Sequence, residues 1–244
     1  MKVEVWSDIA CPFCYIGKRR FEAGLEQFAH KDEIEVEYKS FQLNPAAEKY
    51  PQQDAYGLVA EKYGISREES VAMHDNLVKQ AAEVGLTYNF EHAIPANSLD
   101  AHRLIHFAGR YGKRTEAAEQ LFKAYFTDSK HIGELETLTG IAAEIGLDPK
   151  EAEVLLTSDE LTAEVEAECR EASQLGANGV PFYVINRKYA VAGAQSSDVF
   201  LEVLNRTWAE EKPLIFIDPS STDSETGQVC TDDSCGIGEA DPGR

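Results

Sequence analysis

Two cysteines separated by two residues are the part of this sequence best suited to chemistry. Cys11, Pro12, Phe13 and Cys14 follow a short strand-like run and precede a helix-like run. Pro12 suits the first turn of a helix, where its missing N–H would have no helical partner. Cys11 would then lie at a helix N-terminus, where unpaired amides and the helix dipole favour a thiolate with a pKa of about 3.5–7.5. Such a thiolate attacks disulfides at neutral pH, and Cys14 is near enough to resolve the mixed disulfide.

The elements that must position this pair form a predicted strand–helix–strand unit. Residues 2–8 alternate apolar and polar side chains, and residues 33–43 do the same before Asn44 and Pro45 break the run. Apolar residues recur at roughly helical spacing between the two runs. If the strands are parallel, the crossover between them should be right-handed.

A long helical pattern follows from about residue 56 to residue 174, with glycines near the ends of its segments. Ser66 followed by Glu69 predicts a capping box, and Asp148 followed by Pro149 predicts an N-cap and a first turn. The predicted helices are 55–63, 66–85, 98–112, 114–128, 134–146, 149–156 and 159–175.

Strand signals return after the helical block. Residues 182–185 and 189–193 flank a turn at 186–188 and predict a hairpin, and residues 196–210 predict a last helix. Residues 218–244 are rich in Ser, Asp, Gly and Thr and predict a mobile acidic tail. This order of elements predicts an α/β fold with a helical insertion.

The charge of the chain excludes some classes of partner. Its 244 residues include 23 basic and 43 acidic side chains, for a net charge of −20. Such a chain should repel nucleic acid and anionic membrane surfaces. No apolar run approaches the roughly 20 residues of a membrane span, and the N-terminal residues do not resemble a signal peptide. We therefore expect a cytoplasmic protein, in which cysteine pairs tend to be catalytic, redox-sensing or metal-binding.

The remaining cysteines allow a second redox site. Cys230 and Cys235 lie in the acidic tail, where Asp232 and Asp233 should raise their thiol pKa values by like-charge repulsion. One hypothesis is a slow or reserve redox pair that exchanges with the first pair, and the alternative is an incidental or weakly metal-binding pair. Cys169 falls within a predicted helix and is expected to be structural.

Zinc coordination by the two cysteine pairs is a further alternative on spacing alone. Structural zinc pairs lie on turns or knuckles, whereas the first pair here lies at a strand–helix junction with a proline inside it. The tail pair is spaced by four residues and has no histidine nearby. We therefore expect no metal site.

Four stretches of the sequence carry a family resemblance: 6–22 (WSDIACPFCYIGKRRFE), 96–108 (ANSLDAHRLIHFA), 176–195 (GANGVPFYVINRKYAVAGAQ) and 229–235 (VCTDDSC). They resemble the DsbA-like branch of the thioredoxin superfamily. More narrowly, they resemble the FrnE-type oxidoreductases, which are similar to 2-hydroxychromene-2-carboxylate isomerases and kappa-class glutathione transferases. The resemblance covers nearly the whole chain.

This resemblance implies a thioredoxin-like fold with a large all-helical insertion, in which Cys11 attacks and Cys14 resolves. The implied division is a thioredoxin-like domain at 1–50 and 176–212, an insertion at 51–175, and a C-terminal extension at 213–244 that holds the second cysteine pair.

The resemblance also implies that the Val180–Pro181 peptide is cis and lies beside the cysteine pair. Proline is the residue for which a cis bond is cheap. A cis bend would leave the backbone groups of Val180 free to pair with an extended substrate. From the residues alone, a trans turn before the strand remains the alternative.

Other candidate site residues are weaker. Trp6, Pro12 and Phe13 are expected at the rim of the active site, although Trp6 and Phe13 also fit a plain core. Asn97, His102 and Arg103 are candidates for contact with substrate or a glutathione-like ligand. The alternative is a capping Asn97, with His102 and Arg103 as structural residues on the face of a helix. His106 lies one turn after His102, but without an adjacent Glu of the metalloprotease type this histidine pair is weak evidence for a metal site.

The predicted function is that of a cytoplasmic thiol–disulfide oxidoreductase or isomerase. Its expected substrates are disulfide-containing proteins or small-molecule thiols, with no bound cofactor and with glutathione as a candidate co-substrate. It is expected to be a monomer or a homodimer. The alternatives are a glutathione-dependent small-molecule isomerase or transferase, and a redox-gated chaperone module. The isomerase and kappa-class relatives usually have serine at one or both thiol positions, so the two cysteines here favour redox chemistry.

Overall fold

Residues 1–210, the part of the chain that the computed structural model describes, are built around a mixed four-stranded sheet. Its order is β2-β1-β3-β4. β1 pairs with β2 in parallel and with β3 in antiparallel orientation, and β3 and β4 form an antiparallel hairpin. The strands are β1 (Lys2–Ser7), β2 (Glu35–Ser40), β3 (Phe182–Ile185) and β4 (Tyr189–Ala192).

Nine α-helices accompany this sheet within residues 1–210. The first connects β1 to β2, the last follows β4, and the other seven form the predicted insertion, each within three residues of its predicted bounds. None of these helices combines the length and the apolar character that a bilayer crossing requires. The helices are α1 (Pro12–Glu26), α2 (Ala55–Tyr63), α3 (Arg67–Glu83), α4 (Leu99–Gly109), α5 (Arg114–Phe126), α6 (Leu135–Glu144), α7 (Pro149–Leu156), α8 (Thr162–Gln174) and α9 (Ser197–Glu210).

Local signals account for several of these helix ends. Ser66 and Glu69 form the predicted capping box, with each side chain accepting the backbone N–H of the other residue. Asp148 caps α7 by accepting the Lys150 N–H at 2.8 Å, and Pro149 starts the helix. These side chains satisfy amides that have no partner inside the helix.

β1 is buried on both faces, although its alternating sequence suited a strand with one polar face. Val5 faces the main core, and Trp6 belongs to a second apolar cluster. Glu4, on the same face as Trp6, is only 3 % exposed. Its carboxylate pairs with Lys39 at 3.2 Å and also with Arg187. The polar residue Glu4 therefore forms buried ion pairs and does not face solvent.

α1 is held on the sheet by aromatic packing. The Phe21 ring lies 5.5 Å from the rings of both Tyr183 and Phe200, and it meets the Phe200 ring edge-on. Phe200 belongs to α9, so the first and last helices pack together against the sheet. This contact fixes the helix that carries the cysteines.

Glu168 on α8 ties the insertion to the sheet. Its carboxylate accepts hydrogen bonds from the Ser40 N–H at 2.6 Å, from His106 Nε2 at 2.9 Å and from the Arg114 guanidinium at 3.0 Å. Its backbone carbonyl accepts the Trp6 indole N–H at 2.9 Å. Burial alone would raise the pKa of Glu168, but His106, Ser40 and Arg114 hold it at about 2. His106 is thus part of a structural network.

Candidate active site

Cys11 and Cys14 lie at the start of α1, shortly after β1. Cys11 is the N-cap residue, with extended backbone angles (φ −94°, ψ 113°), and Pro12 occupies the first turn as the sequence predicted. The Cys14 N–H donates to the Cys11 carbonyl at 3.0 Å. Both residues are thiols, and their side chains are close enough to hydrogen bond with each other. This arrangement suits a reversible disulfide.

The two thiols have different surroundings. Cys11 lines a cavity, whereas Cys14 does not line it and is 2 % exposed. Burial raises the pKa of Cys14 well above its ordinary value, and the adjacent Cys11 sulfur raises it further. The backbone of Asp8 and the hydroxyl of Ser7 act in the opposite direction. Cys14 therefore remains a neutral thiol near pH 7 while Cys11 is free.

The Val180–Pro181 peptide bond is cis and lies beside Cys11, as the resemblance implied. The Cys11 thiol donates to the Val180 carbonyl, with 3.6 Å between sulfur and oxygen. Val180 is partly exposed and lines the same cavity as Cys11. Its backbone is therefore within reach of a molecule that approaches the sulfur.

Gly17 lets α1 approach this loop closely. A Cβ at position 17 would lie 2.8 Å from the Tyr183 hydroxyl and 2.9 Å from Cγ of Pro181. Atoms at these separations overlap, so any larger residue would push the helix and the Pro181 loop apart.

The cavity beside Cys11 has a volume of about 370 Å³ and lies between the start of α1, the Val180 loop and the helical insertion. Phe13 lines it and is 43 % exposed. Lys62 and His74 add polar groups, and His74 Nδ1 is paired with the Ser70 carbonyl at 2.8 Å. Apolar residues of the insertion form much of the lining: Leu58, Val59, Met73, Leu77, Phe90 and Phe126.

The sequence model of the DSBA-like thioredoxin domain matches residues 2–205. The chain belongs to the DsbA-like thioredoxin family. The predicted family and fold class are therefore confirmed, and the FrnE subtype stays a prediction.

Individual relatives support this assignment. The DsbA-like chain is 30 % identical over 207 residues to the uncharacterized protein YwbO of Bacillus subtilis, covering 83 % of this chain and 95 % of YwbO. It is similar to a probable DsbA oxidoreductase from Streptomyces coelicolor, with a TM-score of 0.84 and 41 % identity over 90 % of this chain and 94 % of that one. Its fold also resembles that of the cytosolic disulfide reductase DsbM from Pseudomonas aeruginosa, solved with GSH, with a TM-score of 0.62 and 16 % identity over 86 % of this chain and 100 % of DsbM.

Asp8 holds the loop that leads to the DsbA-like cysteine pair. Its carboxylate accepts the Ala10 N–H at 3.1 Å and the Leu43 N–H at 2.7 Å, and its backbone carbonyl accepts the Cys11 N–H at 3.0 Å. His102 Nε2 lies 3.5 Å from the Asp8 carboxylate. Burial alone would raise the pKa of Asp8, but His102 and the two amides keep it below its ordinary value.

The structure places the remaining candidates as follows. His102 is almost fully buried beside Asp8 and does not line the cavity. Asn97 directly precedes Ser98, the N-cap residue of α4, and its side chain accepts the Leu99 N–H at 2.9 Å and donates to the Ala47 carbonyl at 2.8 Å. Trp6 is a fully buried core residue instead of a rim residue, because the face of β1 that carries it is covered. Pro12 and Phe13 do line the cavity.

Sequence reasoning assigned no role to two residues that contact the site. Asp8 stands three positions before Cys11, at the end of the predicted strand. This position close to the cysteine motif was a local signal that could have identified Asp8 as a site residue. Tyr88 donates its hydroxyl to the Pro12 carbonyl at 2.6 Å, although 76 positions separate the two residues. No pattern near Tyr88 in the sequence points to that contact.

Of the other three cysteines, only Cys169 lies within the described residues. Cys169 is half-buried, its thiol donates to the Ser40 carbonyl with 3.7 Å between sulfur and oxygen, and burial raises its pKa. Cys230 and Cys235 lie outside the described residues, so the second redox pair stays a prediction. Within residues 1–210, no group of three or more His, Cys, Asp or Glu side chains is placed to hold a metal ion.

Proposed function

We propose that this DsbA-like protein catalyses thiol–disulfide exchange, with Cys11 as the attacking thiol and Cys14 as the resolving thiol. The observation that carries the proposal is the unequal surroundings of the pair. Cys11 begins a helix and lines a cavity, whereas Cys14 is buried with a raised pKa. The helix dipole favours negative charge at the position of Cys11.

The first step is attack by the Cys11 thiolate on one sulfur of a substrate disulfide. A bond forms between Cys11 Sγ and that sulfur, the substrate S–S bond breaks, and the other substrate sulfur leaves as a thiolate. The product is a mixed disulfide, in which Cys11 no longer carries charge. Because the Cys11 sulfur is one cause of the high pKa of Cys14, this step makes Cys14 easier to ionise.

The second step is attack by Cys14 on Cys11 Sγ. Cys14 releases its proton to solvent, and the buried Ser7 hydroxyl beside it favours the resulting thiolate. The Cys11–Cys14 disulfide forms and the second substrate sulfur leaves. The substrate has gained two electrons and the cysteine pair has lost two, and the reverse sequence oxidises a dithiol.

The substrate belongs to the thiol or disulfide compounds on which this family acts. The apolar lining of the cavity supports a polypeptide whose cysteine is flanked by apolar side chains. Glutathione is proposed as the small thiol that restores the reduced pair, and the GSH-bound structure of DsbM motivates that choice. The cytoplasmic location stays a prediction that fractionation of cells would test.

Reduction of insulin by a thiol tests this function. The wild-type protein should accelerate the reaction, and Cys11→Ser should abolish the acceleration. Cys14→Ser should keep the first step and accumulate a mixed disulfide at Cys11, which a non-reducing gel and mass spectrometry would detect. Turnover that survives in Cys11→Ser would show that the attacking group has been assigned wrongly. An isomerase or transferase would instead act on its small molecule with both cysteines replaced by serine.

A further inference from the structure

A hydrogen bond joins the helical insertion to the residues between the two cysteines. Tyr88, in the segment between α3 and α4, donates its hydroxyl to the Pro12 carbonyl at 2.6 Å. Pro12 directly follows Cys11, and its carbonyl belongs to the peptide unit that leads on to Phe13 and Cys14. The contact is therefore made to the backbone that connects the two reacting cysteines, and the Tyr88 hydroxyl donates to that backbone and not to a sulfur.

The Tyr88 ring is held firmly in place. The side chain is 5 % exposed, its ring stacks on Phe126 with 4.7 Å between centroids, and it meets Phe90 edge-on at 5.4 Å. Burial raises the pKa of Tyr88, and the nearby thiols raise it further. The hydroxyl therefore keeps its proton and remains a donor over the pH range in which thiols ionise.

The resolving step depends on alignment. Cys14 must approach Cys11 Sγ along the line of the mixed disulfide bond, and a misplacement of about 1 Å can slow such an intramolecular step by about 100-fold. Rotation of the peptide unit between Pro12 and Phe13 would move one sulfur relative to the other. The Pro12 carbonyl belongs to the first turn of α1, and a fixed donor from outside the helix adds a second restraint on that rotation.

We propose that Tyr88 is a positioning residue for resolution, whose hydroxyl holds the peptide unit after Pro12 so that Cys14 stays aligned with Cys11. The inference rests on the proposed exchange function. Under this inference the helical insertion affects the rate of the resolving step, in addition to lining the cavity.

Ellman's reagent separates the two steps of the cycle. Attack by Cys11 forms a bond to one half of the reagent and releases the first thionitrobenzoate at a rate that depends on reagent concentration. Attack by Cys14 on Cys11 Sγ then releases the second thionitrobenzoate at a rate that does not. The full-length chain carrying Cys169→Ser, Cys230→Ser and Cys235→Ser provides the reference, since only the first pair can then react.

Tyr88→Phe in this background removes the hydroxyl and keeps the ring. We expect the first phase to be unchanged and the second to slow by about fivefold or more. The plateau of the second rate should fall while the midpoint of its pH profile stays in place. Tyr15→Phe is the matched control, because Tyr15 belongs to the same aromatic cluster but donates its hydroxyl to Glu119 at 2.8 Å.

The outcomes distinguish the inference from the function beneath it. Equal second phases in Tyr88→Phe and Tyr15→Phe would overturn the positioning role, and so would a shifted pH midpoint with an unchanged plateau. Melting temperatures of the two variants check that both are folded. A reference protein with no second phase at all would overturn the proposed exchange function itself, whatever Tyr88 does.

Discussion

The carboxylate of Asp8 and the imidazole of His102 face each other in the interior, with Oδ1 of Asp8 3.5 Å from Nε2 of His102. Neither ring nitrogen of His102 has a hydrogen-bond partner among residues 1–210. The Asp8 carboxylate also accepts the backbone N–H groups of Ala10 and Leu43, two residues that line the cavity beside Cys11. This pair therefore joins the cysteine loop to α4 and to the segment that follows β2.

Asp8→Asn should destabilise the protein strongly. The change removes the charge that faces His102 and turns an amide NH₂ towards backbone donors. Leaving a buried backbone donor without an acceptor costs about 1–3 kcal/mol, and the loss of the carboxylate charge weakens the remaining hydrogen bond as well. Urea unfolding at pH 7 measures the loss. Asp75→Asn, at an exposed position on α3, should change stability by less than about 0.5 kcal/mol, and equal values for the two variants would contradict the role given to Asp8.

The Glu168 network should give the protein a specific sensitivity to acid. The pKa of Glu168 is about 2 in the folded protein against an ordinary value of 4.5. Because the folded pKa is depressed, its stabilising contribution is complete above about pH 4.5 and is lost as the pH falls towards 2. Glu168→Gln should lower the free energy of unfolding by about 2–3 kcal/mol at pH 7.

Unfolding of wild type and Glu168→Gln at a series of pH values measures this contribution. The difference between the two proteins should shrink as the pH is lowered from 4.5 towards 2. A difference that stays constant over that interval would show that the carboxylate does not titrate as described.

Gly17→Ala should weaken both packing and exchange. Its Cβ would overlap the Tyr183 hydroxyl and Pro181, which costs about 1–3 kcal/mol and displaces the Pro181 loop from Cys11. Thermal melting and the insulin assay measure the two effects. Gly140→Ala is the matched control, since nothing lies within 4 Å of a Cβ there and alanine should stabilise α6 by about 0.5–1 kcal/mol. Equal activity and stability in both variants would refute the steric argument.

Alkylation should distinguish the two thiols. Burial raises the pKa of Cys14, so its thiol is neutral at pH 7. Cys14 also does not line the cavity through which a reagent would reach the pair. Iodoacetamide should therefore modify Cys11 first, and Cys14 should react only as the pH rises well above 9. Mass spectrometry of the peptide that holds both residues, taken as a time course, locates the label. Early label on Cys14 would contradict the assignment of attacking and resolving roles.

Much of the fold was predictable because its signals are local. The capping box at Ser66 and Glu69, the proline at the start of α7 and the apolar spacing in between define helices through contacts three or four residues apart. The turn after Ile185 is equally local, since Asn186 and Arg187 adopt positive φ angles of 53° to close the hairpin. The alternation of β1 suggested that Glu4 faces solvent, whereas it is buried. A sequence does not distinguish a buried carboxylate from an exposed one.

The site was predictable to a smaller extent. Cys11, Cys14 and the cis Val180–Pro181 bond followed from motifs and from the family resemblance. Trp6 and His102 were candidates for the active site and lie in the interior, since only packing decides which face of an element is covered. Tyr88 was not found at all.

The sequence by itself determined where most helices begin and end and that Cys11 and Cys14 lie at the start of α1. Proline, apolar spacing and capping residues act between near neighbours, so a short stretch of sequence contains these signals. The Val180 carbonyl meets Cys11 across 169 positions, a contact that only the family resemblance implied, and tertiary structure alone decided that the Tyr88 hydroxyl meets Pro12 across 76. Those contacts depend on the path that the whole insertion takes back to the sheet. That path is set by the summed packing of many side chains, which no short stretch of sequence contains.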